Sequence, residues 1–233
     1  MNRRPAVIVS GIAILVMLGI SAWAWPQIPD GARVPIHWGL DGQPNGWAPK
    51  WVALLLSPGI AVVIAILFGV IPVIEPRRSN LARSSGFYLS AWAGAMIVLA
   101  VVHAVAVSVA LGGTLNVGRV VAIAIGLLYV AIGNFLPKTR SNFFAGIRTP
   151  WTLTSERSWT VTHRLGGRGF VLIGALSVLC GLFGLPGSVL LVVLLGGMAV
   201  LIPALVIVSY RIWQTDPDRQ SFGRGDGDTE GNR

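Results

Sequence analysis

Six stretches of this chain run for about a helix-span of residues with almost no charge, and nothing else constrains its fold as much. They are Pro5 to Trp25, Trp51 to Ile74, Phe87 to Leu111, Val117 to Leu136, Gly169 to Leu185 and Ser188 to Trp213. A hydrocarbon core about 30 Å thick takes roughly 20 apolar residues of helix to cross. Within it a helix satisfies its own backbone hydrogen bonds. The expected fold class is therefore an all-α membrane protein with six transmembrane helices. Only 12% of residues are charged, against about 25% in soluble domains, so the chain belongs in lipid. The fifth run is the shortest. Pro72 and Pro203 fall inside runs and are expected to kink their helices locally. No heptad pattern and no clear GxxxG face stands out. The pairs Gly112-Gly113 and Gly196-Gly197 permit close helix approach.

The net charge of +9 would point to nucleic acid in a soluble protein. Here it is read as loop Lys and Arg facing anionic lipid, with no direct nucleic-acid partner. The Lys/Arg bias sets orientation. With the N-terminus inside, only Arg33, Lys50 and Arg119 fall outside, so N-in and C-in is expected. A rival reading takes MNRRP, the first apolar run and Ala22-Trp23-Ala24 as a cleaved signal peptide. The run is long enough to span uncut. Cys180, the single cysteine, has no intrachain disulfide partner.

The expected organisation has four parts. Residues 1–75 form an N-terminal domain of two spans with a cap loop at 26–50. Residues 76–116 are a cytoplasmic linker and the third span. Residues 117–213 hold spans four to six, with a structured cytoplasmic loop at 137–168. Residues 214–233 are polar and Gly-rich and are expected to be a disordered cytoplasmic tail.

The outer loop reads PQIPDGARVPIHWGLDGQPNGWAPKW. Asp-Gly and Pro-Asn-Gly mark turns, because Gly and Asn accept positive φ. Val34, Ile36 and Trp38 alternate with Pro35 and His37, the pattern of a short strand. A small extracytoplasmic hairpin-like cap is expected, with Trp25, Trp47 and Trp51 in the interfacial aromatic belt. His37 with Asp41 or Asp30 lacks ligand spacing, so a hydrogen-bonded His is preferred to a metal site. Folded loops on rigid scaffolds often carry function, which marks the cap as ligand-facing.

The second loop reads GNFLPKTRSNFFAGIRTPWTLTSERSWTVTHRLGGRG. Asn134 stands at the end of the fourth run, where an amide can bond a neighbouring helix. Pro137 ends that helix. Asn142, Gly146 and Thr149-Pro150 mark a turn-rich path. Thr154 is the expected N-cap of a short juxtamembrane helix from Ser155 to Leu165, with Glu156 in its first turn. On it Arg157, Arg164 and Arg168 share a face toward headgroups, and Trp159, four residues before His163, lies at the interface. Topology alone accounts for Lys138, Arg140, Arg157 and Arg168. It does not call for Asn134, Asn142, Arg148, Thr152, Trp159, Thr162 and His163, which points to a structural or binding role.

This loop resembles the signature of the SdpI family of bacterial integral membrane proteins, a segment of the form GN-x-[LM]-P-K…N…GIRTPWTL…W…THR. The stretch VPIHWGLDGQPNGWAPKW resembles the small domain of unknown function that commonly precedes it. The resemblance carries over to Asn134, Pro137, Asn142, Gly146, Arg148, Thr149, Pro150, Trp151, Thr152, Trp159, Thr162, His163 and Arg164. In the cap it marks Pro35, His37, Trp38, Gly42, Gly46, Trp47 and Lys50 as ligand candidates. It implies a non-enzymatic protein of the bacterial plasma membrane that gives immunity to a secreted antimicrobial peptide. It also implies signalling, by holding a small transcriptional repressor at the membrane. The implied partners are membrane lipids, a toxin peptide outside and a repressor protein inside, with no cofactor.

Other chemistry finds little footing. No Walker motif, HExxH or GxSxG occurs, so ATP-driven transport, zincin and hydrolase readings have no support. Arg148, Arg164 and His163 could hold a lipid phosphate. His103 lies within the third run without an acid in any run, and a neutral, hydrogen-bonded His is expected. A small transporter or flippase for a peptide or lipid is the alternative class, resting on the six spans, the prolines and His103.

Overall fold

Small residues choose the inward face of the first helix. The computed structural model describes residues 1–220. Its helix α1 (Arg4–Ala24) buries Ala6, Ser10, Ala13, Met17, Ser21 and Ala24, three or four positions apart, and leaves Ile8, Ile12 and Leu15 exposed. That is the pattern of a helix in lipid, where tails are as apolar as Leu and packing favours small side chains at contacts. A hairpin comes next, β1 (Arg33–Trp38) with β2 (Pro44–Pro49), then α2 (Lys50–Ile74), the short α3 (Arg78–Arg83) and α4 (Ser85–Ala110). Beyond them lie α5 (Val117–Phe135), one turn of α6 (Pro150–Thr154) and α7 (Glu156–Phe183). Helix α8 (Gly187–Leu191) runs through a π-helical turn at Val192–Gly196 into α9 (Gly197–Gln214).

Among the described residues 6 helical segments are long and apolar enough to cross a membrane: Arg4–Gln27, Lys50–Ile74, Ser85–Ala110, Val117–Lys138, Glu156–Phe183 and Gly187–Gln214. The chain is a mostly helical, multi-pass membrane protein. The fifth of these differs from expectation. The apolar run at Gly169 to Leu185 is only the far part of a 28-residue helix, continuous with what the sequence presents as a separate juxtamembrane helix. Its N-cap is Ser155, whose side chain accepts from Ser158 N. Thr154 instead closes α6.

Helix α2 contains two prolines, Pro58 as well as Pro72. A proline has no N–H for the carbonyl four residues earlier, which leaves Leu54 and Phe68 as carbonyl acceptors in apolar surroundings. Both are taken by hydroxyls from neighbouring helices. Ser21 of α1 donates to Leu54 O at 2.7 Å. Tyr88 of α4 donates to Phe68 O. His103 of α4 joins the first cluster, its Nε2 lying 3.0 Å from Ser21 Oγ. Around these bonds pack Met17, Ala61, Tyr88, Trp92 and Met96. The hairpin seats on the same three helices, with Ile28 and Val34 buried against Ala24, Leu54 and Val107.

Helices α5 and α7 meet along glycines. A Cβ on Gly126 would lie 2.6 Å from Gly174 O, and one on Gly133 would lie 2.6 Å from Gly167 O. The spacing of seven on both helices puts these glycines on one seam. It is a small-residue interface of the kind that lets backbones touch in lipid, at a longer repeat than GxxxG.

The tail expected to be disordered from residue 214 begins in a packed turn. Asp216 is buried and accepts from Ser155 Oγ, and Gln220 N donates to Thr154 O at 2.9 Å. The remainder of that expectation, 221–233, lies outside the described residues.

Replacing Tyr88 by Phe is expected to cost about 1 kcal/mol of stability, the scale of one interhelical hydrogen bond. In a Pro72→Ala background, where an N–H returns to Phe68 O, the same change should cost clearly less. Unfolding of the four proteins in detergent micelles, read as a double-mutant cycle, measures the difference.

Candidate functional site

The residues of the second loop gather into a buried knot at one end of the bundle. Leu136–Lys138 makes a 3-10 turn at Pro137, and Thr139 donates back to Leu136 O at 2.8 Å. Asn142 is fully buried and organises the turn from Arg140 to Ala145. Its Oδ1 accepts from Phe144 N at 3.0 Å and Ala145 N at 2.6 Å. Its Nδ2 donates to Arg140 O at 2.7 Å and Ala145 O at 3.0 Å. An amide is the side chain that can serve two acceptors and two donors at once.

Trp159 and His163, both buried on α7, form the floor. Their rings stack with centroids 3.9 Å apart. Ile147 N donates to His163 Nε2 at 2.8 Å, so Nδ1 carries the proton and donates to Trp159 O at 2.7 Å. Trp159 Nε1 donates to Thr139 O at 3.1 Å. The chain passes over this floor at Gly146, whose φ is 119°. A Cβ there would stand 2.4 Å from His163 Nε2, so glycine is required twice over.

Pro150 opens α6, and Thr149 and Thr152 cap it reciprocally, each side chain accepting from the other's backbone N–H at 3.1 and 2.9 Å. Thr149 Oγ1 also donates to Ser209 Oγ of α9 at 3.3 Å, and Ser158 Oγ donates to Ser209 O at 2.8 Å. Trp151 lies against Tyr210 of α9, with ring centroids 5.0 Å apart. The loop is thus stitched to α7 and α9.

A clamp from the α2–α4 connection completes the knot, and it is the part that sequence reasoning misses. Glu75 is buried and accepts from Arg77 N at 2.8 Å and from Phe143 N at 3.0 Å. Arg77 donates to Ser141 Oγ at 2.5 Å and lies over the Phe143 ring, 4.9 Å from its centroid. Asn80 Nδ2 donates to Ser141 O at 2.8 Å, and Ser84 Oγ accepts from Arg140 N at 2.9 Å. One local signal exists: Glu75 is an acid set directly against an apolar run, before Pro76 and Arg77.

The structure gives the signature residues different places. Asn142, Gly146, Thr149, Thr152, Trp159 and His163 are brought together. Pro137, Pro150 and Trp151 shape the approach. Thr162 is fully buried with no hydrogen-bond partner for its hydroxyl among the described residues. Asn134, Arg148 and Arg164 are exposed. Asn134 takes no side-chain hydrogen bond among the described residues, and Arg148 Nη1 donates to Phe143 O at 2.7 Å. Two expectations are corrected. Trp159 is a buried floor rather than an interfacial residue. His163 cannot join Arg148 and Arg164 in a phosphate site, because both its ring nitrogens are engaged inside the knot.

At the other end of the bundle the cap is a bulged antiparallel hairpin. His37 Nδ1 is hydrogen-bonded to Asn45 Oδ1, the plain reading of that side chain. Gly46 packs directly on His37, and Gly42 turns the chain with φ 75°. Pro35 and Trp38 are half-buried, while Trp47 is exposed. Lys50 ties the cap down. Its ammonium pairs with Asp30, reaches Ile28 O at 3.1 Å and lies 5.1 Å from the Trp25 ring centroid. That hydrogen bond and charge hold the Asp30 carboxyl below its ordinary value.

A multi-pass protein of the cell membrane is defined by these elements, with a folded hairpin at one end and a knotted loop at the other. Residues 138–207 match the SdpI/YfhL protein family, and residues 12–62 match a domain of unknown function, DUF1648. The two matches fall where the two motifs lie, the signature loop from Lys138 onward and the cap. It is similar to the immunity protein SdpI of Bacillus subtilis (strain 168), 20% identical over 203 residues, which cover 87% of this chain and 94% of that protein. No solved structure matches it.

Asn142→Ala strands two N–H groups and two carbonyls, and is expected to cost roughly 2–3 kcal/mol. Limited trypsin digestion should then cut at Arg140 and Arg148 well before it cuts the parent. For the cap, a lowered carboxyl means that the Asp30–Lys50 tie is intact at neutral pH and lost only as pH falls below the ordinary 3.8. Carboxyl NMR of labelled Asp should place the Asp30 midpoint under that value, and Asp30→Asn should leave stability at pH 7 nearly unchanged, as expected of an exposed pair.

Proposed function

We propose that this chain protects its cell from a secreted antimicrobial peptide. The likeness to an immunity protein across 87% of the chain carries the reading. In this reading the termini and the knotted loop are cytoplasmic, because that orientation keeps nearly all Lys and Arg inside. The hairpin then faces the outside, where a secreted peptide arrives.

The buried signature residues act as a scaffold, and the exposed ones act as the contact surface. Arg148, Arg164 and Arg168 stand exposed around the knot. They form the face on which a cytoplasmic protein, of the repressor kind, is held. No reacting group is assigned. We favour this over a transporter because Ser21 and His103, polar groups within the spans, are tied to each other, and Ser21 also to Leu54 O.

The test is survival. The chain is expressed in a bacterium sensitive to the family's toxin peptide and lacking its own immunity gene, and membrane insertion is confirmed. The parent should raise survival at least tenfold. Arg148→Ala removes one exposed donation to Phe143 O but none of the buried bonds, so it should keep the knot folded and should change signalling to the partner. Absence of protection by a well-inserted parent would overturn the immunity reading.

A further inference from the structure

The hairpin tip does not stay above the helices it connects. Its turn reaches the α7–α8 junction, where a Cβ on Gly187 would stand 2.4 Å from Leu40 O. Between the tip, the start of α5 and the end of α7 lies a cavity of about 300 Å³. That lies within the range of small-ligand sites, which are mostly apolar with a few placed polar groups. Leu40, Ala122, Cys180, Leu185, Pro186 and Leu190 give the apolar lining. The walls come from both matched segments, the tip from 12–62 and the α7–α8 junction from 138–207.

Two polar groups face this space with capacity to spare. Arg119 uses Nε on Gly181 O at 3.0 Å and Nη2 on Leu182 O at 2.9 Å, capping α7. Its Nη1 has no partner, and no carboxylate pairs with it, among the described residues. Asn116 Oδ1 accepts from Arg119 N at 3.0 Å, while its Nδ2 is unpartnered among the described residues. Asp41, the acid in the lining, accepts from Gln43 N at 3.0 Å. Arg119 is exposed at the mouth of this mostly apolar cavity and forms no ion pair among the described residues, Asp41 included, and such a guanidinium selects a carboxylate attached to apolar groups. The free Asn116 amide adds a donor suited to a peptide carbonyl, which an acyl chain could not use.

We propose that this cavity receives the C-terminal end of an apolar peptide. Bulky side chains enter the cavity, the terminal carboxylate meets Arg119, and the last peptide carbonyl meets Asn116. Only the identity of that peptide as a secreted toxin rests on the immunity reading.

The probe is a synthetic apolar hexapeptide carrying photo-leucine at its last position, made as the free acid and as the amide. It is crosslinked to the full chain in nanodiscs and mapped by mass spectrometry. The acid should label residues 39–42 and 184–190. The amide, and the acid on Arg119→Gln, should label them roughly tenfold less, the scale of one charge-assisted bond. Leu190→Trp, which fills the cavity and keeps Arg119, should also lose the label. Labelling elsewhere, equal labelling by acid and amide, or displacement by an equal concentration of oleate would overturn the proposal. Protection of cells by a chain whose cavity is not labelled would remove the cavity and keep the immunity reading. A labelled cavity in a chain that does not protect would do the reverse.

Discussion

A backbone carbonyl without a donor is costly in lipid, and much of this structure is arranged around that constraint. Prolines at 58 and 72 create two such carbonyls in α2, and hydroxyls of Ser21 and Tyr88 answer them from α1 and α4. The first three spans are thereby oriented about one another by bonds that have geometry, where apolar packing against lipid-like neighbours would give little. At the end of the bundle the same problem returns as irregular backbone that is buried within the protein. Asn142, Glu75 and His163 supply the missing donors and acceptors from three separate segments.

That arrangement explains why so chemically varied a loop is kept. Most of its polar side chains bond to backbone rather than to one another. They fix a path that no regular element could take between α5 and α7. Because α5 and α7 touch along glycines, the loop joining them must turn tightly beneath a narrow seam, and Gly146 crosses the His163 ring where any larger residue would collide.

The spans are legible in the sequence because length and hydropathy in lipid are properties of each segment alone. The hairpin is legible for the same reason, from local alternation and turn residues. The hidden features depend on pairs. Glu75 lies far along the chain from Phe143, and nothing local announces their bond. The glycine seam escapes a sequence reading because its repeat is seven rather than four and its two halves sit on different helices. The fifth span reads as two helices for a different cause: Arg157, Arg164 and Arg168 lower the local hydropathy without breaking the helix. Trp159 reads as interfacial because aromatic residues gather at membrane borders, but its ring meets His163 one turn on and its indole N–H meets Thr139 O.

Helix α7 has a geometric consequence of its own. It runs 28 residues without a proline, from Glu156, just before the Trp159–His163 floor, to Phe183, just past the carbonyls that Arg119 caps. At 1.5 Å per residue that is a rod about 42 Å long. Its glycine flank holds it so near to α5 that the two cannot bend independently. Such a rod has the geometry of a lever: a small tilt imposed beside the hairpin tip would displace the indole and imidazole sideways at the other end of the bundle. One continuous helix thus spans the distance between the two ends of the described chain.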